Sequence, residues 1–403
     1  MSISLATRDL SPASAKDEES FDRAEFMRRL EKLKAVVTEH AVESEDMRRL
    51  SPKIFEEFKR LRLLRVAQPP MFGGVGLDMD EVYEIAYEVG RVDPSAGWNC
   101  AFYALHNHQI GMLSREAQEE YWEKSYDVVM VTASAAVKMD MQEVGDSVLV
   151  NGEWDFSSGV DEADWVQISW VTGTSARQLM VPMSKVEIID NWHVAGMRST
   201  GSKRIRVRDA LVPPHFQLTG AQMANGDTTG RQIHPSRYYQ LPTFSWMGYT
   251  IAANILGAAH GMLDLFTEMM KKRREISTGE PFIAREANQI RVAEAAAEIH
   301  AARTVLEADI KRFHELADAR VQPTMLERAA FRRNQAFVSK LAVQATNRMF
   351  DVTGGSAIYT ANPLQRFFRD ISCMSHHMVL VWDPVAEQYA KVLWDLPPKS
   401  YNL

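Results

Sequence analysis

The chain has 403 residues, 46% of them hydrophobic and 25% charged, which is enough to bury a large core divided into roughly two or three packed units. Its 46 Lys and Arg are interspersed with 53 Asp and Glu for a net charge of −7, and no basic stripe carries interleaved aromatics, so a nucleic-acid surface is not expected. No apolar run reaches the length of a bilayer span and residues 1–20 lack the apolar centre of a signal peptide, so no membrane partner and a cytoplasmic location are expected. Cys100 and Cys373 give no disulfide framework, and the 11 histidines form no HExxH or comparable ligand set, so no metal is expected.

Residues 1–20 read as a polar leader. Over 21–40 the apolar positions Phe26, Leu30, Leu33, Val36 and Val37 recur at helical spacing, and Ser51-Pro52 opens a second helix. The run PPMFGGVGLD breaks regular structure at Gly73, Gly74 and Gly76. A phosphate loop would need Lys-Ser or Lys-Thr after the glycines, and Leu77-Asp78 stands there instead. Helix returns over 80–125, where DPSAGWNCAFYALHNHQIGML is apolar almost without interruption and should be buried on most sides. His106 and His108 stand out in it; a satisfied core histidine and a site histidine are both open readings.

From about residue 127 the period shortens to that of strands, in VVMVTASAAV, SVLVNGEWDFSS, ADWVQISWV, RQLMVPM and KRIRVRDALVP. Thr132 and Ser134 lie on the first of these runs, Trp154, Ser157 and Ser158 on the second, and Trp192, Thr200, Gly201 and Ser202 in DNWHVAGMRSTGSKRIRV. Residues 207–240, with Pro213-Pro214 and NGDTTGRQ, read as a surface connection flanking a pocket entrance. Helices flank the strand block on both sides, so the fold class is α+β and mostly helical.

The last part is helical. Ile251 to Met270 is rich in Ala, Gly and Met, and the basic run Lys271 to Arg274 follows. Two long stretches, 284–320 and 326–350, carry small residues and broad apolar faces, which suits a bundle that packs against copies of itself as a homotetramer or dimer of dimers. A helix ending near Asp351 meets Gly354 and Gly355, and Pro363 opens another in which Arg366, Arg369 and Asp370 share a face. Ser375, His376 and His377 are expected on its continuation, where adjacent positions diverge by about 100°, so only one of the two histidines can face a given site.

The order of elements, together with PPMFGG, WDFSSG, the Trp192 to Ser202 segment and the Gly354-Gly355 and Arg369-Asp370 pairs, resembles the acyl-CoA dehydrogenase fold across nearly the whole chain. That resemblance implies an N-terminal helical domain (21–126), a central β-barrel-like domain (127–220), a connection (221–240) and a C-terminal four-helix bundle domain (241–403). A dehydrogenase of this fold often keeps a catalytic glutamate where this chain has His377-Met378. Its other base position is the first helix of the last domain, and no carboxylate stands between Asp227 and Asp264. The chain therefore resembles the flavin-dependent monooxygenases that share the fold, the oxygenase components of two-component aromatic hydroxylases.

This resemblance implies reduced flavin (FADH2 or FMNH2) and O2 as co-reactants, a C4a-hydroperoxyflavin, and hydroxylation or epoxidation of a phenol, indole or related ring. A separate NAD(P)H:flavin reductase is implied as well, since no GxGxxG dinucleotide fingerprint is present. It assigns His377 to the substrate's acidic proton, Ser158 (Ser157 as the substitute) to the flavin N5 proton, and His106 to positioning the ring. Trp154, Ser157, Thr132, Ser134, Trp192, Thr200, Ser202, Gly354, Gly355 and, reaching a neighbouring subunit, Arg274 are implied as flavin contacts. Trp98, Trp246, His376 and Met378 complete the implied substrate pocket. The alternatives are an acyl-CoA dehydrogenase or oxidase, an oxygenase of sulfur or nitrogen centres, and a non-catalytic relative.

Overall fold

The computed structural model describes residues 21–172 and 175–398, so the leader expected over 1–20 lies outside the described residues. Asp22 accepts the Glu25 amide and starts α1 (Arg23–Met47), whose Phe26, Leu30, Leu33 and Val37 are fully buried. The helix runs past residue 40 because Ala41 and Ser44 prolong its buried face. Ser51 caps α2 (Pro52–Arg60), and a capping box of Asp78 and Glu81 starts α3 (Met79–Gly90). The helical run expected to reach 125 is divided. Asp93 accepts the Ala96 amide with Pro94 in the first turn, opening α4 (Pro94–Ile110), and α5 (Arg115–Tyr121) follows. Every residue of α4 is buried except Phe102.

Among the described residues eight strands follow: β1 (Met130–Ala133), β2 (Ala135–Val144), β3 (Ser147–Ser157), β4 (Trp165–Thr172), β5 (Ser175–Pro182), β6 (Val186–Ile189), β7 (Lys203–Val212) and β8 (Gln217–Thr219). They make two four-stranded sheets, ordered β1-β4-β5-β8 and β2-β3-β7-β6, antiparallel throughout except for the parallel β1–β4 pair. The pairing of β3 with β7 slips between Trp154 and Ser157, and Phe156 there takes φ 64. A bulge of this kind re-aims the side chains at a strand's end.

The segment expected as a surface connection is a packed one. It holds α6 (Gly220–Asn225) and α7 (Gly230–Ile233), is followed by α8 (Thr243–Trp246), and buries Thr228, His234, Tyr238 and Tyr239. The Gly230 amide donates to the Met112 carbonyl at 3.1 Å, and His234 Nε2 lies 2.8 Å from Gln118, so the polar letters are spent on α5 and its approach rather than on water.

The remaining helices are α9 (Tyr249–Lys272), α10 (Glu286–Asp318), α11 (Met325–Phe350), α12 (Pro363–Met374) and α13 (Trp382–Leu393). The first three lie side by side, and α12 and α13 pack on them. The small residues of α9 serve close approach to α3: a Cβ on Gly257 would stand 2.1 Å from the Tyr87 carbonyl oxygen. Helices, two central sheets and a second set of helices follow one another in the order expected from the sequence. Among the described residues no helix is long and apolar enough to cross a membrane.

Candidate active site

The site is built where one face of α4 meets the bulged end of β3. Trp98, Phe102 and His106 repeat every four residues, so their rings run in a row: 4.9 Å separates the first two and 5.6 Å the last two. The Trp98 Nε1–H donates to Ser158 Oγ at 3.2 Å, and the His377 ring stands 5.5 Å from the Trp98 ring in an edge arrangement. Three remote parts of the chain, 98, 158 and 377, thus converge.

Behind Ser158 lies a file of hydroxyls. Ser158 Oγ is 2.7 Å from Ser202 Oγ, which is 2.6 Å from Thr200 Oγ1, which donates to the Met197 carbonyl at 2.8 Å. The Met197 amide in turn donates to Asp370 at 2.6 Å. That carboxyl is fully buried, and burial, with Asp93 nearby, pushes its pKa up to about 7. Asp370 on α12 therefore fixes the loop that carries the hydroxyls.

His106 is tied at both nitrogens. The Met130 carbonyl, 2.8 Å from Nδ1, can only accept, so Nδ1 carries the proton and Nε2 accepts from Thr132 Oγ1 at 2.8 Å. Burial lowers its pKa to about 4. His106 and Thr132, proposed from the sequence for substrate and flavin, are thereby bonded to each other, linking α4 to β1.

The helix α12 does not extend to the histidine pair. It ends at Met374, because the Ser375 hydroxyl and His376 Nδ1–H both donate to the Ser372 carbonyl and take it out of the helical ladder. His376 is exposed there, while the half-buried His377 turns toward Trp98. Burial, with the Arg332 cation close by, lowers the His377 pKa to about 4, so the ring is neutral. The Val379 amide donates to its Nδ1 at 3.3 Å, which puts the proton of the neutral ring on Nε2 as a donor.

The other sequence candidates fall at varied places. Trp154 is fully buried inside the β domain with its indole N–H toward the Ser169 carbonyl, and Ser157 is buried with its hydroxyl unpartnered. Ser134 is exposed, bonded to Ser169 at 2.9 Å, and sits one residue before the Ala135–Asp155 pair, which sets it beside the end of β3. Trp192 is half-buried, 6.0 Å from the Phe156 ring. Trp246 is fully buried against His108 and Tyr238, apart from Trp98, and Met378 is 66% exposed. Gly354 takes φ 71 in a turn whose carbonyls, Val352 and Thr353, are held by Arg273, whereas Arg274 is bonded only to the Gly279 carbonyl among its described contacts.

Phe102 and Phe156 did not emerge from the sequence. Phe102 could have been found from its place one turn after Trp98; Phe156, 61% exposed, owes its position to a bulge that no local signal announces. Two cavities lie elsewhere, one of about 290 Å³ lined by Asp80, Tyr83, Tyr87 and Arg303 and one of about 410 Å³ lined by Gln68, Asp78, His234 and Tyr239. Neither includes Trp98, Ser158 or His377.

A flat, polar-edged ring system suits the residues at the end of β3. The half-exposed Ser158 has an oxygen lone pair to offer, Ser134 and Thr132 lie on the adjoining strand end, and Phe156, Trp192 and Trp98 supply aromatic faces. Asp370 is buried on the Met197 amide, and Asp264, at the end of the stretch without carboxylates, is paired with Arg91 at 2.6 Å.

Residues 249–382 match the family model for the acyl-CoA dehydrogenase C-terminal domain. Over 350 residues, 85% of this chain and 91% of the relative, the sequence is 30% identical to the flavin-dependent monooxygenase oxygenase subunit HsaA of Rhodococcus jostii (strain RHA1). The chain belongs to this family of flavin-dependent monooxygenase oxygenase components. It is also 28% identical to the FADH(2)-dependent resorcinol hydroxylase oxygenase component of Rhizobium sp. (strain MTP-10005), over 89% of this chain and 91% of the relative. The crystal structure of 3-HSA hydroxylase from Rhodococcus sp. RHA1 superimposes with a TM-score of 0.89 at 28% identity, covering 94% of this chain and 99% of that one.

Proposed function

We propose that this oxygenase component takes reduced flavin and O2 and hydroxylates an aromatic ring bearing an acidic O–H or N–H, a phenol or an indole. When bound, the reduced flavin supplies the two electrons and, with O2, the oxygen atom delivered to the ring. The observation that carries the reading is the convergence of Ser158, Trp98 and a neutral His377, with no carboxylate among them.

Each residue has a defined task. Ser158 Oγ accepts the N5–H of the reduced ring and holds that proton in place. For a phenol, the Nε2–H of His377 donates to the ring oxygen, orienting it and stabilising the negative charge that accompanies oxygen transfer. Trp98 and Phe102 form an apolar wall that excludes water from the reacting carbon. His106 acts on the ring only through that wall and through Thr132. Arg274, an exposed guanidinium, is assigned to the flavin phosphates of a neighbouring copy, and the Gly354-Gly355 turn to a backbone contact with flavin. Exposed Ile358, Tyr359, Leu393 and Trp394 support burial against such copies in a tetramer. A separate reductase supplies the reduced flavin, because the chain carries no dinucleotide fingerprint.

The test is a single turnover under 18O2 with chemically reduced FMN or FAD and a panel of phenols and indoles. The reading predicts one labelled oxygen in a ring-hydroxylated product. Unlabelled product, or oxidation of an acyl thioester in place of any ring, would overturn it.

A further inference from the structure

The file of hydroxyls behind Ser158 has a direction, and the direction is dictated by its far end. A backbone carbonyl can only accept, so Thr200 must give its one hydroxyl hydrogen to the Met197 oxygen, 2.8 Å away. Ser202, 2.6 Å from Thr200, must then donate to it, and Ser158, 2.7 Å from Ser202, must donate in its turn. Trp98 Nε1 is a donor only and fills one lone pair of Ser158 at 3.2 Å. The hydrogen of Ser158 is therefore spent, and a lone pair is what remains.

The anchor of this file is rigid. The Met197 amide is bonded to the fully buried Asp370 at 2.6 Å, and Gly196 lies so close to α12 that a Cβ there would be 2.5 Å from the Arg369 carbonyl oxygen. Thr200 and Ser202 are 2% and 5% exposed, so neither has water as an alternative partner.

We infer that Thr200 and Ser202 are positioning residues that hold Ser158 as an obligate hydrogen-bond acceptor, and that this polarity makes the site select reduced flavin over oxidised flavin. The inference rests on the proposal that Ser158 meets N5 of the ring. Reduced flavin carries a hydrogen on N5 and donates to the Ser158 lone pair; oxidised flavin has a lone pair on N5, and two acceptors then face each other. Removing the Thr200 hydroxyl frees the Ser202 hydrogen to turn toward Ser158. Ser158 is then free to donate, and the preference shifts toward the oxidised ring although Ser158 itself is unchanged.

The experiment is anaerobic equilibrium titration of the full chain with reduced and with oxidised FMN and FAD, comparing wild type, Thr200→Val, Thr200→Ser, Ser202→Ala and Ser158→Ala. The readout is the ratio of the two dissociation constants, which a general loosening of the fold would not move. In wild type the ratio favours the reduced form. Thr200→Val and Ser202→Ala each reduce it by about tenfold, the worth of one net hydrogen bond. Thr200→Ser, which keeps the hydroxyl, retains it, and Thr200→Val adds nothing in the Ser158→Ala background. If Thr200→Val does not fold, Ser202→Ala carries the test. An unchanged ratio in Thr200→Val or Ser202→Ala, or equal ratios in the Val and Ser variants, overturns the inference while leaving flavin use intact. A wild type that binds neither form overturns the flavin reading itself.

Discussion

The two ends of α4 contain similar residues in dissimilar states. At its far end His108 is stacked on Tyr239 at 3.9 Å and stands edge-on to Trp246 at 5.2 Å, with both aromatics buried. At its near end Trp98 leans on Phe102 and His377, which remain half-buried, and gives its N–H to a hydroxyl with an unused lone pair. Aromatic and histidine content alone does not separate a core from a site. Spare valence beside partial exposure does, and His106 lies between the two, bonded at both nitrogens.

The largest contrast is expected from truncating one ring at each end. Trp246→Ala should cost about 3–5 kcal/mol of stability by opening a cavity in a closed core. His377→Ala should leave the melting temperature close to wild type and lower ring hydroxylation by about 10²–10⁴, the usual weight of a positioned proton-transfer or hydrogen-bonding group. Thermal denaturation and product analysis on both variants check the pair; equal losses of stability would erase the distinction. Between them, His106→Ala should cost about 1–3 kcal/mol, because the Met130 carbonyl is left unpaired, with loss of activity following loss of fold.

The pH dependence sharpens the same comparison. His106 and His377 have pKa values lowered to about 4, and His108 to about 3, mainly by burial. A histidine depressed on folding stabilises the protein above its unfolded pKa of about 6.5, and that contribution is lost as pH falls toward the folded value, since the unfolded chain then binds more protons. Asp370, raised to about 7, acts oppositely: its contribution is present at low pH and is lost as pH rises through that value. Melting temperature should therefore fall as pH drops below about 6.5, and Asp370→Asn should remove a loss seen near neutrality. Because His377 is neutral far below its ordinary pKa, hydroxylation should show no acidic limb near pH 6.5 from this residue; a limb there that vanishes in His377→Asn would contradict the neutral ring. The smallest effect is assigned to Arg274→Ala, a several-fold weaker flavin affinity with stability within about 0.5 kcal/mol of wild type.

Local pattern made much of the fold legible. The one-turn apolar spacing of α1, the Ser51-Pro52 cap and the change of period near residue 127 each follow from neighbours in sequence, and the helix–strand–helix order follows from them. The end of α12 was not legible in the same way, because Ser372 and Ser375 read as ordinary helical positions until their hydroxyl and carbonyl meet. In the site, the single letters Ser158, Thr200, Ser202 and His377 could be chosen from a resemblance. Their arrangement in one file could not, since it depends on the Trp154–Ser157 bulge and on Asp370 gripping Met197 across a long loop. Phe102 had the opposite fate: its signal was present in the Trp98 spacing, and the uniform apolarity of α4 hid it.

The central claim, that the half-open end of β3 is where oxygen transfer is controlled, is tested most directly by the partition of reduced flavin between hydroxylated product and hydrogen peroxide in wild type and Ser158→Ala. Loss of the acceptor at Ser158 should leave flavin consumption in place and move most of the turnover from product to peroxide. The same product-to-peroxide ratio in both proteins would contradict the account.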